Sequence, residues 1–223
     1  MLYYESIVWK IGVYFGDIMV VKKIISIVLL VVFAMSLAAC SNSTNTKTEN
    51  KEGVYPYELS EREENILQAF GMGGNSQILS FRAPSEAISL EVNVYMLDEN
   101  GEWTSIGGGG ISLGVEREPV GELAGMFTML LHDDYSMDFN ITCGGRASYT
   151  TEPVTSVPEV MASTKAFLTD FKEIEINKEI PVALMVYDSG TSMRSITPET
   201  YFEPALLSDM DFVQAVTLTF SDK

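Results

Sequence analysis

The sequence predicts a mainly β protein: one antiparallel sandwich of roughly eight or nine strands with one or two short helices, spanning residues 54–223. Three observations lead there. Short segments alternate apolar and polar side chains with the period of two that half-buried strands require. Turn-forming residues separate those segments at short intervals. Residues 182–187 (Val-Ala-Leu-Met-Val-Tyr) are apolar without a break, as expected of a strand covered on both faces.

The elements follow in chain order. Ser60 and Glu63 stand in the Ser-x-x-Glu form of a capping box, and Ile66, Leu67 and Phe70 follow at helical spacing. They predict a helix over 61–70 that packs its apolar stripe and stops at Gly71. Ile88, Leu90, Val92, Val94 and Met96 alternate with polar residues and Tyr95, which is one strand. Asp98-Glu99-Asn100-Gly101 is a turn signal, and 103–106 returns as the partner strand. The four glycines 107–110 are expected to interrupt it as a bulge or loop. Residues 111–115 and 123–131 read as strands. His132, Asp133 and Asp134 form a hairpin turn into a strand with Tyr135, Met137, Phe139, Ile141 and Cys143 on one face. Pro153 and Pro158 mark an irregular passage. Strands are expected at 167–171, 173–177 and 182–187, a short helix within 198–207, and a last strand through Phe212, Val216, Leu218 and Phe220. Immunoglobulin-like and jelly-roll topologies both fit, although the Cys…Trp…Cys spacing of true immunoglobulin domains is absent.

Composition narrows the function. The chain has 223 residues, 31 acidic against 14 basic, and a formal net charge of −17. Phosphate binding needs a basic face, so an electrostatic nucleic-acid binder is excluded. Two cysteines cannot build a disulfide-dense scaffold or a four-thiolate zinc site. One histidine leaves little for a metal cluster or a His relay.

The N-terminal part is a different kind of segment. Lys22 and Lys23 precede residues 24–35, which are apolar apart from Ser26, and the run ends Leu37-Ala38-Ala39-Cys40. A short positive stretch, about a dozen apolar residues and then small ones make an export signal, too short to span a bilayer. The last four residues resemble the lipobox of bacterial lipoproteins. The resemblance covers residues 19–40. It implies cleavage after Ala39 and a diacylglyceryl thioether on Cys40, which anchors the chain to the outer face of the cell membrane. Residues 1–18 do not fit a leader and read as an upstream extension, with translation starting at Met19. Residues 41–53 are polar and aperiodic, a flexible tether. Loss of the leader removes three basic and two acidic residues, leaving a net charge of −18 that keeps the domain off anionic headgroups. The layout of lipobox, polar tether and acidic β domain is similar to lipoproteins of low-GC Gram-positive bacteria, a likeness of layout that implies no particular activity.

Candidate chemistry in the domain is sparse. Cys143 falls on the inward face of its strand, so it reads as a buried thiol and not a nucleophile. His132, Asp133 and Asp134 read as solvated turn residues. Neither 71–76 nor 107–110 sits between a strand and a helix with the lysine of a phosphate loop. Residues 98–101 lack the ligand alternation of a calcium loop, which leaves only weak calcium binding by acidic loops. Trp103, Tyr135, Tyr149 and Tyr187 are the aromatics that could stack on a sugar. The resulting expectation is a lipid-anchored binding module at the cell surface, with a cell-wall glycan or another envelope protein as partner and no cofactor. The alternatives are an envelope glycan hydrolase using a carboxylate pair, or a purely structural envelope protein.

Overall fold

The computed structural model describes residues 51–113, 122–155, 160–190 and 194–222. The expected leader with Cys40, most of the expected tether, residues 114–115 of an expected strand and Pro158 lie outside the described residues.

Ten strands form two five-stranded antiparallel sheets. They are β1 (Gly53–Pro56), β2 (Ser76–Arg82), β3 (Ser89–Leu97), β4 (Trp103–Ser112), β5 (Ala124–Leu131), β6 (Met137–Thr142), β7 (Arg146–Thr150), β8 (Ala162–Phe167), β9 (Glu179–Asp188) and β10 (Phe212–Ser221). The first sheet has the order β1-β2-β5-β6-β7 and the second β4-β3-β10-β9-β8. The fold is therefore the expected mainly β sandwich. The main core lies between the sheets. Phe81 meets Phe220 with ring centroids 5.6 Å apart, and Phe127 stacks on Phe139 at 5.8 Å. Burying each such side chain stabilises the fold by roughly 1.5–3 kcal/mol.

A second, smaller core lies on the outer face of the second sheet. Leu184, Val186, Val213 and Ala215 point outward there and are covered by Tyr201 and Leu207. The covering segment holds two 3-10 helices, Pro198–Phe202 and Pro204–Leu207, where a single short helix is expected from the sequence. Pro204 divides them, because proline disfavours helical backbone at the residue before it. Glu203 accordingly sits at φ −127°, ψ 59°.

Several expectations are corrected. The described residues form ten strands where roughly eight or nine are expected, because β1, β2, β7 and β8 carry weak signals. In β2 an inward Gln77 breaks the apolar alternation of Leu79 and Phe81. β7 is a short exposed edge with no apolar stripe. Only Phe167 of 167–171 is in a strand, and 173–177 forms none. Lys172 instead makes an isolated bridge to Val54. The glycines 107–110 do not interrupt β4, which runs through them, and the irregularity falls at Ile106, opposite Val94 and Tyr95. Tyr135 is not a strand residue. It sits in the β5–β6 turn at φ 63°.

The helix, α1 (Glu61–Ala69), has the capping box as predicted: Ser60 Oγ accepts from the Glu63 N–H, and Glu63 Oε2 accepts from the Ser60 N–H. Its apolar stripe, however, is not buried: Leu67 is only partly covered. Ile66 is 51 % and Phe70 74 % exposed. Local capping, not tertiary packing, thus holds α1. Ser60→Ala removes about 1 kcal/mol of cap energy. It should speed amide exchange across residues 64–69 and leave the thermal midpoint of the chain unchanged; a lowered midpoint would show that α1 belongs to the global unit.

Gly125 lies where β5 meets the end of β6. A Cβ there would stand 1.9 Å from the Thr142 carbonyl oxygen, whereas one on Gly145 meets nothing within 4 Å. Gly125→Ala should therefore destabilise the chain by roughly 1–3 kcal/mol. Gly145→Ala should change stability by less than about 0.5 kcal/mol in the same urea titration.

Candidate functional site

The β3–β4 hairpin positions the site. Its turn is closed by Asp98, whose Oδ1 accepts from the N–H groups of Asn100 (2.9 Å) and Glu102 (2.8 Å), and Gly101 takes φ 78°. Those bonds hold the Asp98 carboxyl below the usual range, the bond from Glu102 most of all. In β3, Leu90, Val92 and Val94 point into the core. Ser89, Glu91, Asn93 and Tyr95 therefore line the outer face.

Opposite them the glycines of β4 divide by parity. Gly107 and Gly109 lie on the inner side, where an added Cβ would meet Tyr149 and Thr151 at 3.1–3.3 Å. Gly108 and Gly110 pair with Asn93 and Glu91 on the outer side. A Cβ on them would stand 2.4 and 2.6 Å from the carbonyl oxygens of Val92 and Leu90. Only glycine fits that approach.

The result is an open groove of about 560 Å³ on the outer face of the second sheet. Gly108 and Gly110 make its floor, with Ser89, Glu91, Asn93, Ser105 and Ser112 among its lining residues. Among the described residues Glu91 is the one charged side chain that lines it.

Beside the groove on the same face stands a hydroxyl–carboxylate cluster. Glu179 Oε1 accepts from Tyr95 OH (2.6 Å) and Thr217 Oγ1 (3.2 Å), and Oε2 accepts from Tyr201 OH (2.7 Å). Thr219 pairs with Glu91 on one side and Glu179 on the other, so the two carboxylates sit two ladder steps apart. Their backbones are thus about 10 Å apart across the sheet. Burial, and then the bond to Glu179, push the Tyr95 phenol up to about 12. The Tyr201 phenol is raised further, by burial first and Glu179 next.

A raised phenol stabilises the fold fully below the ordinary tyrosine range and loses that contribution as pH rises through the folded value. Stability should therefore decline between pH 10 and about 12. Tyr95→Phe should flatten that decline in alkaline thermal unfolding. An unchanged slope would mean that Tyr95 ionises freely.

Of the four aromatics singled out from the sequence, Tyr135 and Tyr187 meet, and Trp103 and Tyr149 stand apart from them. Trp103 stacks on Tyr201 at 5.0 Å, and its indole N–H donates to the Tyr201 carbonyl at 2.9 Å. It clamps the 3-10 segment onto the outer face. Tyr135 lies edge-on to Tyr187 (4.9 Å) and Phe212 (5.4 Å) at one end of the main core. Tyr149 covers Gly107 and Gly109 where β7 meets β4. Each has a packing partner, and the groove contains none of the three.

Cys143 is buried, and that burial pushes its thiol up, away from thiolate chemistry. His132 is a turn residue as expected, but it has a specific partner: its Nε2 lies 2.8 Å from Asp138 Oδ2. Thr150 Oγ1 donates to the other oxygen at 2.6 Å, and this bond leads in lowering the Asp138 carboxyl. No group of three or more His, Cys, Asp or Glu side chains suited to a metal stands together among the described residues.

Glu91, Asn93, Glu179 and Tyr201 are the residues that sequence reasoning missed. The outward positions of β3 were legible from its alternation. Their juxtaposition with Glu179 depends on strand order, which no local pattern carries. Comparisons of the chain with protein-family models, curated proteins and solved structures find no match.

Proposed function

We propose that this chain is a lipid-anchored binding module of the cell surface, and that the groove over β3 and β4 is its ligand site. The groove carries the reading. It is an open, polar recess beside a hydroxyl–carboxylate cluster, on a face whose other half is closed by the 3-10 segment. Backbone glycines leave the space, and Glu91 and Asn93 supply a carboxylate and an amide to fix a ligand. The lipobox-like Leu37-Ala38-Ala39-Cys40 supports export and anchoring.

Two measurements test this. Mass spectrometry of the mature N-terminal peptide should find Cys40 as its first residue with two acyl chains attached, and Cys40→Ala should abolish the modification. The full chain in detergent micelles should bind a ligand from a panel of glycans, peptidoglycan fragments and extended peptides, tested with and without calcium. Asn93→Ala should weaken that binding about tenfold. An unmodified Cys40 would remove the anchor, and a panel without a hit would remove the module.

The ladder placement of Glu91 and Glu179 favours one second reading, an envelope glycan hydrolase. Hydrolysis of peptidoglycan fragments that Glu91→Gln or Glu179→Gln abolishes would establish it in place of binding alone.

A further inference from the structure

The far edge of β4, along which no described strand lies, is the feature that says most about the ligand. A sandwich of two open sheets has four edge strands, and unprotected edges recruit other chains. β1 is closed by Lys172: the Val54 N–H donates to the Lys172 carbonyl and the Lys172 N–H to the Val54 carbonyl, both at 2.8 Å. β7 is only 5 residues long, and β8 is 6 long and carries Lys165. β4 differs from all three. It runs for 10 residues with no charged residue and no proline, and no described strand pairs with its far side.

The direction of its backbone groups follows from the register. The carbonyl oxygens of Leu90 and Val92 lie against Gly110 and Gly108. Residues 90 and 92 therefore aim their hydrogen-bonding groups at β4, and their partners Ile111 and Gly109 aim back. The Leu113 N–H, bonded to the Ile88 carbonyl at 2.8 Å, continues the same parity. The N–H and C=O of Gly108 and Gly110 consequently turn to the open edge.

From this we infer that the ligand of the groove is an extended, basic polypeptide segment of a partner protein, added to the second sheet as a sixth strand beside β4. The inference rests on the groove's being the ligand site. Residues of the added strand opposite Gly108 and Gly110 would make paired backbone bonds to them. The side chains of those residues lie on the outer face, where the glycines leave room for them to fold across β4. A long side chain crossing Gly110 arrives at Glu91, the one charged group among the groove's described lining residues. Complementary charge there is positive, and the chain's net charge of −17 favours encounter with a basic segment over a second copy of itself.

The probes are decapeptides offered to the full chain in micelles. One alternates Thr and Arg, one is the same peptide N-methylated at every arginine, and one alternates Thr and Glu. The Thr-Arg peptide should bind saturably and slow amide exchange at Gly108 and Gly110 about tenfold. N-methylation should weaken binding at least about tenfold, since it removes the donors that face β4. Glu91→Gln should weaken the Thr-Arg peptide about threefold to tenfold, and the Thr-Glu peptide should not bind. Equal binding of the N-methylated peptide would overturn strand addition. So would slowed exchange at Gly108 and Gly110 that grows with chain concentration in the absence of peptide, because the edge would then belong to a second copy. A glycan that perturbs Glu91 and Asn93 without protecting those amides would overturn the peptide and keep the groove. No binding by any probe or glycan would overturn both.

Discussion

The central pair β9 and β10 buries apolar side chains on both faces, and the rest of the molecule is arranged around that constraint. A strand with one apolar face needs one covering layer. These two need two, because leaving either face in water would forfeit the burial that holds the fold together. Inside, Ala183, Met185, Val216, Leu218 and Phe220 are covered by the first sheet. Outside, Leu184, Val186, Val213 and Ala215 are covered by Tyr201 and Leu207 from the segment between β9 and β10 themselves. Trp103 fastens that segment from the neighbouring hairpin through its stack on Tyr201 and its bond to the Tyr201 carbonyl.

The same constraint sets where a ligand can sit. The covering segment ends where the outward residues become polar. Thr217 is still fully buried beneath Glu179, and past it the outer face carries Thr219 of β10 and then Ser89, Glu91 and Asn93 of β3, none of which is buried. Polar residues tolerate water, and glycines in β4 remove the side chains that would otherwise roof the strip. The groove is thus the uncovered remainder of a face whose other part had to be closed. Its border is the Tyr95–Glu179–Tyr201 cluster, where a carboxylate at the edge of the small core is satisfied by three hydroxyl donors and not by a cation. Such an arrangement keeps the outer face acidic beside the groove, in line with the charge of the whole chain.

Glycine has two distinct uses on the two sides of β4. Gly107 and Gly109 let Tyr149 of the opposite sheet come down onto β4, closing that side of the sandwich over the backbone. Gly108 and Gly110 let β3 approach from the other direction and leave the outer face bare. A side chain on the inner pair must displace Tyr149 or Thr151, and one on the outer pair must displace a carbonyl of β3. This explains how four glycines can lie within a strand: what is lost in backbone entropy is offset by packing that no larger residue permits.

The elements whose signals are local were legible. The Ser60–Glu63 capping box, the alternation of β3 and β6, the Asp98–Gly101 turn and the unbroken apolar run of β9 each follow from residues adjacent in the chain, and each formed where expected. What failed needed a partner to be seen. β7 became a strand because β6 offered it an edge, and the glycines stayed in β4 because β3 and Tyr149 occupy the space a Cβ would need. The apolar residues of α1 looked like a packing stripe, but Ile66 and Phe70 stay exposed and Leu67 is only partly buried. By itself, then, the sequence determined the sandwich class, the inward face of each strongly patterned strand and the acidic character, because each is written in spacing or composition. Only the tertiary structure decided that Glu91 and Glu179 flank Thr219, that Gly108 and Gly110 floor a groove, and that β4 is the last described strand on its side of the sheet. Those depend on which strand lies beside which, a choice made by long-range burial and not by neighbours in sequence.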